Sequence, residues 1–391
     1  MITVRWADDD IAFPQVEFRR LFRPLKREVP PDAAMVTAYT DGAVTLRSNR
    51  LREGGYHEAT DMTGMQGVHK GDFVVHGLDI LRGSVGISDS AGAISSVCVL
   101  CEPTPQADPR YFAWVIRAQA FSGFPRALAR GVREGGADFR RWDTLAELPV
   151  PAPPKEVQTA IADYLDTETA RIDKLISKKQ RMIELLQEGW FSIVESRMRE
   201  LALEYGTIPL RYLVKCLDGA RVPLSSEERG GREGPIPYYG ASRIVDWIDS
   251  HIFNETLVLL GEDGAQLGDP RYEIAQVVSG KIWVNNHAHV LRPISVDPNF
   301  LTLLLNTFDR IQFISGGTRE KITQDDMNRI PVPNLSPDEQ KMEVQRMGAW
   351  RIRCVDTTDR LRRQITLLQE RRQALITGAV TGLLDIPEVA A

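Results

Sequence analysis

From Lys155 to Glu204 the chain has no proline and a single glycine, Gly189, while Leu165, Ile172, Ile176, Ile183, Leu186, Trp190 and Ile193 recur at steps of three, four or seven. That spacing predicts one amphipathic helix. At 1.5 Å per residue it would run about 75 Å, far beyond the ~11-residue average of globular helices. Between Pro337 and Leu384, the residues Val344, Met347, Leu361, Ile365, Leu368 and Leu375 follow the same rhythm and predict a second long helix. Helices of this length need a partner surface along their whole seam.

The two helices belong to an internal repeat. "RMIELLQEGW" from Arg181 and "RQITLLQERR" from Arg363 agree at six of ten positions, 182 residues apart. Pro149, Pro151 and Gln158 return at the same offset as Pro331, Pro333 and Gln340. Ahead of them "DPRYFAWVI" from Asp108 is echoed by "DPNFLTLLL" from Asp297, and strand-rich segments precede both, so each half reads as a globule followed by a long helix. Proline fixes φ and forbids continuation of the preceding structure, and a proline followed by acids suits a helix start. Each "PVP" therefore ends a globule and launches its helix in a set direction. The expected divisions are 1–154, a first globule; 155–204, the first long helix; 205–336, a second globule; 337–384, the second long helix; and 385–391, a tail.

A length of 391 residues predicts at least two domains, and a hydrophobic share of 43% supports globular cores. No apolar run reaches about 18 residues, and "MITVRWADDD" has acids where a secretory signal needs bases, so the expectation is a cytoplasmic protein without membrane association. The four cysteines are too scattered for a disulfide framework. Cys98 and Cys101 form a C-x-x-C inside a β-branched run with no second pair to complete a metal site, and read as buried strand residues. The net charge of -5 requires that any nucleic-acid contact come from clustered bases or from partner subunits.

Catalytic chemistry is missing. "DPNF" at Asp297 lacks the second proline of the D-P-P-F motif of amino-methyltransferases, and its twin "DPRY" points to an Asp cap with proline at the first helical position. "PDEQK" at Pro337 holds a nuclease-like acid-x-Lys entirely within a helix start. Gly280-Lys281 continues into Ile282 and Trp283 rather than a phosphate-binding loop. His287 and His289 in "WVNNHAHVL" would share one strand face but lack a third metal ligand, so with Asn285 and Asn286 they read as a polar strand end.

In "LPVPAPPKEVQTAIADYLDTETARIDKLISKKQRMIELLQE", "IPVPNLSPDEQ", "VNNHAHVL", "GEDGA" from Gly261 and "LLQERRQALITGAVTG", the chain resembles the specificity subunits of type I restriction-modification enzymes. The resemblance covers nearly the whole chain, although "GEDGA" and "VNNHAHVL" have no clear twins before Pro149. It implies a mixed α/β protein in which two target-recognition domains alternate with two long helices, paired as a pseudo-twofold antiparallel coiled coil. It implies double-stranded DNA as ligand, and two modification (methyltransferase) subunits and restriction (motor-nuclease) subunits as partners. It further implies no catalytic residue, metal or cofactor in this chain; S-adenosylmethionine, ATP and Mg²⁺ belong to the partners.

Base reading needs side chains that offer bidentate hydrogen bonds, mainly Arg to guanine and Asn or Gln to adenine. Polar, glycine-rich loops offer candidates: Arg47, Asn49, Arg50 and Arg52; Arg130 and Arg133; Tyr239, Ser242 and Arg243; and Thr318, Arg319 and Lys321. Any one of these arginines reads first as a solvated surface residue. "GVREGG" and "GGTREK" stand out because each precedes its "PVP" by about 15 to 20 residues. Ile172, Ile176, Ile183 and Leu186, with Leu361, Ile365 and Leu368, are the expected coiled-coil interface. A coiled-coil adaptor that tethers proteins without touching bases is the alternative reading.

Overall fold

The computed structural model describes residues 6, 11–50, 64–124, 132–133, 136–137, 139–264, 267–269, 272–315 and 320–386. They form two compact units, 1–177 with 364–391, and 178–363. Each unit thus takes part of both long helices.

The first unit is built on a four-stranded antiparallel sheet in the order Phe22–Leu25, Cys98–Pro103, Phe73–His76, Val85–Ile87. Side chains alternate across a strand. Phe73, Val75 and Cys101 accordingly join the helix Pro109–Ser122 in one core, while Val74, Cys98 and Leu100 pack on the other face against Val36, Val44 and Val68. The C-x-x-C therefore sends its two thiols to opposite sides of the sheet, where they cannot share an ion. Burial pushes the Cys98 thiol up to about 12.

The second unit repeats the plan. Its sheet runs Val214–Cys216, Ala288–Pro293, Leu257–Gly261, Ala275–Val278. Val258 and Leu260 face the helix Pro298–Thr307, and Leu257 and Leu259 face a second layer containing Ile282 and Val284. That layer is a further four-stranded sheet, Ile244–Ile248, Glu233–Tyr239, Lys281–Val284, Phe253–Asn254.

Both short helices start on the expected caps. The Asp108 carboxylate accepts from Arg110 N–H at 2.9 Å, and that of Asp297 from Asn299 and Phe300 N–H at 2.8 and 3.1 Å. The recurring glutamines clamp these caps to the long helices. Gln158, 2% exposed, accepts from Asp108 N–H at 2.8 Å and donates to the carbonyls of Pro153 and Gln106 at 2.8 and 3.1 Å. Gln340, 4% exposed, accepts from Asp297 N–H at 2.7 Å and donates to the Leu335 carbonyl at 3.0 Å. Each "PVP" forms a short antiparallel ladder, Pro149–Pro151 with Gln15–Glu17 and Pro331–Pro333 with Thr207–Pro209. Proline supplies no N–H to a ladder, so it suits such short edge strands, and the intervening Val150 and Val332 are buried in the cores.

The long helices span Lys155–Tyr205 and Pro337–Thr381. The first ends at Gly206, which takes a left-handed φ of 74°; the second stops at Gly382, φ 77°, short of the expected Leu384. There Leu383 and Leu384 N–H turn back to the Gly378 carbonyl at 2.9 and 3.0 Å. In the first unit Ile161, Ala162 and Leu165 of the first helix share a core with Ile376, Ala379 and Val380 of the second, and Asp173 meets Arg372. In the second unit Trp190, Val194 and Met198 share a core with Met347; Trp190 stacks on Trp350 at 6.3 Å, and Arg197 pairs with Glu343 at 2.6 Å. The start of each helix thus packs against the end of the other, and the helices run antiparallel. Ile172 and Leu361 are buried, while Ile176, Ile183, Leu186, Ile365 and Leu368 are half-buried. Ile193 departs from the expected seam. It is 38% exposed and Val194 is inside, because a 3.6-residue turn drifts away from a strict 3-4 spacing over several turns.

Candidate nucleic-acid interface

In the second unit the polar candidates gather at one end of the central sheet. The hairpin joining Glu233–Tyr239 to Ile244–Ile248 turns at 240–243, closed by Gly240 N–H on the Arg243 carbonyl at 2.9 Å. It leaves Ser242 and Arg243 exposed, with no side-chain partner among the described residues. A Cβ on Gly261 would lie 2.9 Å from the Ala241 carbonyl, so only glycine lets the hairpin tip approach the strand end this closely. Asn285 N–H donates to the Tyr239 carbonyl at 3.1 Å and fastens the same edge.

Beneath that tip lies a paired network. His289 is buried, with Nδ1 2.6 Å from the Asp218 carboxylate and Nε2 2.8 Å from the Ile322 carbonyl. Both partners are acceptors, an arrangement that favours the doubly protonated ring over either neutral tautomer. Burial opposes its charge, but the Asp218 and Ile322 oxygens outweigh it and hold the His289 pKa above its ordinary value. Arg221 reaches Glu262 at 3.1 Å and the Ala288 carbonyl at 2.8 Å, Lys321 pairs with Glu262 at 3.0 Å, and His287 lies 3.0 Å from Asp263. Arg221, Asp218 and Glu262 escaped the reading of the sequence; the "DGAR" run at Asp218 and the acids of "GEDGA" were the available signals. Lys321 is engaged with acids rather than free, and its backbone pairs both ways with Ser315 at 2.8 and 2.9 Å. That pairing closes a loop whose Thr318 and Arg319 lie outside the described residues.

The first unit has positional twins for the motifs that showed none in sequence. Phe73 pairs with Cys101 as Val258 pairs with Leu291, and His76 with Cys98 as Gly261 with Ala288. "HGLD" from His76 thus stands where "GEDG" stands, and "SSVCVL" from Ser95 where "NNHAHV" stands. Gly77 N–H donates to the Val97 carbonyl at 3.0 Å, as Glu262 N–H does to His287 at 2.9 Å. Two candidate loops also end at one equivalent anchor: Phe139 N–H donates to Gly77 at 2.8 Å, and Ile322 N–H to Glu262 at 2.9 Å. The loop ending at Phe139 carries Arg130, outside the described residues, and Arg133, on a two-residue strand, Val132–Arg133, paired with Gly136–Ala137; the Arg133 side chain is outside the description. Arg50 pairs with Asp41 at 2.7 Å and lies 4.6 Å from the Tyr39 ring centre; Asn49 donates to the Thr45 hydroxyl at 2.9 Å, and Arg52 lies outside the described residues.

No group of three or more potential metal ligands occurs among the described residues, and no described helix is long and apolar enough to cross a membrane. What the geometry provides is two copies of one sheet-and-helix scaffold with an equivalent backbone anchor at the same end of each central sheet. A duplicated sheet-and-helix scaffold of this kind is the class that the fold defines. Residues 214–367 match the type I restriction modification DNA specificity domain. Over 126 residues, 32% of this chain and 32% of the relative, the chain is 35% identical to a type I restriction enzyme specificity subunit of Haemophilus influenzae. Over 189 residues, 47% of this chain and 40% of the relative, it is 26% identical to the EcoDI type I restriction enzyme specificity subunit of Escherichia coli. The matches span less than half the length of either curated relative. Among solved structures, a chain from a study of assembly and conformational transition in the type I R-M system superposes with a TM-score of 0.68 over 95% of this chain and 98% of that one, at 14% identity. The HsdS subunit of Thermoanaerobacter tengcongensis does so with a TM-score of 0.53, over 95% and 97%, also at 14% identity. At such identity the likeness is one of fold. Residues 214–367 are thus similar to the DNA specificity domain of type I restriction-modification systems, and the chain as a whole has the fold of the solved type I R-M and HsdS chains.

Proposed function

We propose that this chain is a non-catalytic, cytoplasmic subunit that reads a bipartite double-stranded DNA target, one half-site per unit, and docks two modification (methyltransferase) subunits to which restriction (motor-nuclease) subunits add. The observation that carries the proposal is the equivalent anchor in the two units, Phe139 N–H on the Gly77 carbonyl and Ile322 N–H on the Glu262 carbonyl, which follows the candidates Arg130 and Arg133 in one half of the sequence and Thr318 and Arg319 in the other. A scaffold that keeps the anchor while the loop sequence changes suits a protein that must read two different half-sites. Ser242 and Arg243 add a second reading element in the second unit, and Arg50 one in the first; Lys321 supports its loop through Glu262. Joining two short-site readers in one chain makes the second contact intramolecular, so each half-site can be weakly held alone. With a net charge of -5, the field that attracts phosphates comes from clustered basic residues or from the partners, which also bring S-adenosylmethionine, ATP and Mg²⁺.

The test is to combine the chain with modification subunits and map methylated bases by single-molecule sequencing. A split motif with a fixed spacer is expected. Shift assays with the same complex that show no sequence dependence would overturn DNA reading and leave an adaptor. Methyl transfer by the purified chain alone would overturn the non-catalytic role.

A further inference from the structure

We propose that the first unit carries a binding site for a phosphoryl group, formed by Arg117, Arg372 and the indole of Trp114. Arg117 projects from the helix Pro109–Ser122 and is 7% exposed. Its guanidinium lies 4.5 Å from the Trp114 ring centre, and that of Arg372 lies 5.9 Å from the same centre, so two cations share one ring. Buried Nε of Arg117 has no hydrogen-bond acceptor, and among the described residues no carboxylate lies within ion-pair distance of it.

The nearby acids are already engaged. Asp41 pairs with Arg50 at 2.7 Å, and Asp166 accepts from Trp114 Nε1 at 2.9 Å and Arg110 at 3.3 Å. Asp173 accepts from Arg372 Nη2 at 3.2 Å; Arg372 Nε is 2.9 Å away but poorly aligned. Burial first, and then the Arg372 charge, lower Arg117 to about 10, which still leaves it charged at neutral pH. The guanidinium packs closely on the turn at Gly42, whose left-handed φ of 90° calls for glycine and where a Cβ would lie 2.6 Å from Arg117 Nη1. Buried polar groups are ordinarily paired, and a desolvated cation most of all. Asp173 pairs with Arg372, whereas Arg117 has no ion-pair partner among the described residues, so its guanidinium is the cation left for a phosphodiester or phosphate. Tetrahedral oxygens can meet two guanidinium forks at once.

The test is thermal unfolding of the full chain in inorganic phosphate against chloride at matched ionic strength. Phosphate should raise the midpoint of the first unit by about 2 to 4 °C or more. Arg117→Met should lose that increment while being no less stable than wild type in chloride, since an unpaired buried charge has gone. Equal wild-type midpoints in the two salts, or an increment unchanged in Arg117→Met, would overturn the site. Should Arg117→Met not fold, an unchanged increment in Arg372→Gln would overturn it, and a reduced one would support it. A competition arm separates the sources: phosphate that weakens duplex binding by wild type but not by the variant assigns the site to a DNA backbone phosphate. No competition assigns it to a free phosphate.

Discussion

Replacing Gln158 by methionine keeps the length of the side chain and removes its polar head. Three hydrogen bonds go: Asp108 N–H at 2.8 Å, the Pro153 carbonyl at 2.8 Å and the Gln106 carbonyl at 3.1 Å. The first two lie in buried surroundings, whereas the Gln106 contact is partly open and water can replace it. A buried group left unpaired costs about 1–3 kcal/mol, so Gln158→Met should cost about 2–6 kcal/mol, toward the lower end if the helix start relaxes. Gln340→Met breaks bonds to Asp297 N–H and the Leu335 carbonyl, of which only the second is fully buried, and should cost about 1–3 kcal/mol. Urea unfolding of the two variants gives the costs. Amide exchange should quicken at Asp108 in one and at Asp297 in the other. Wild-type stability in both, or a greater loss at Gln340, would refute the view that these glutamines fasten the short helices to the long ones.

The His289–Asp218 pair gives a pH prediction of definite sign. His289 is raised above 6.5, so its contribution is complete below 6.5 and is lost as pH rises through its folded value; Asp218, for which burial is outweighed by His289 and the Val290 N–H, is depressed below 3.8, so its contribution is complete above 3.8 and is lost as pH falls through its folded value. Unfolding free energy against pH should therefore fall on the alkaline side of 6.5 for wild type and flatten there in His289→Asn, and an unaltered slope would show that the ring is neutral. Arg243→Ala should relax one base pair of the second half-site by about 1–3 kcal/mol in shift assays with modification subunits present, whereas a uniform loss across sequences would mean a phosphate contact. Ile183→Asp should cost about 1–3 kcal/mol in thermal unfolding by placing a charge in the half-buried seam, and an unchanged midpoint would remove Ile183 from the interface. If the helices set the half-site separation, four residues inserted between Ser177 and Lys178 should lengthen it by about 6 Å and the methylated spacer by one or two base pairs; an unchanged spacer with altered half-sites would contradict that role.

Local regularities carried the reading of the sequence furthest. The long helices were legible because seams at 3-4 spacing and freedom from proline persist over many turns, and the Asp-Pro caps because they act within three residues of themselves. The misplaced Ile193 shows where periodicity fails: a template with steps of three and four has no means of choosing between adjacent apolar residues, and packing chose Val194. Equally hidden was the division of Cys98 and Cys101 between the faces of one sheet, which becomes plain only once a strand is known to pass unbroken through both. The candidate site was legible only as loops. His289 and Asp218 are 71 residues apart, and Glu262 and Lys321 are 59 apart, distances at which residue type alone gives no sign of pairing.

The twins of "GEDGA" and "VNNHAHVL" show why the first globule looked unlike the second. Backbone hydrogen bonds from Gly77 to Val97 and from Glu262 to His287 need no particular side chain, so the two halves can keep them while almost every residue around them changes. Gln158 and Gln340 are the opposite case, since their role depends on a primary amide that accepts from one backbone group while donating to another. Selection on the scaffold therefore leaves its mark in sequence only where a side chain takes the place of a backbone partner. Proline, glutamine and aspartate at the foot of each long helix meet that condition, while the strand ends Gly77–Val97 and Glu262–His287 do not. Divergence is thereby permitted at those strand ends, and the repeat is most legible where both halves need the same exit into a helix.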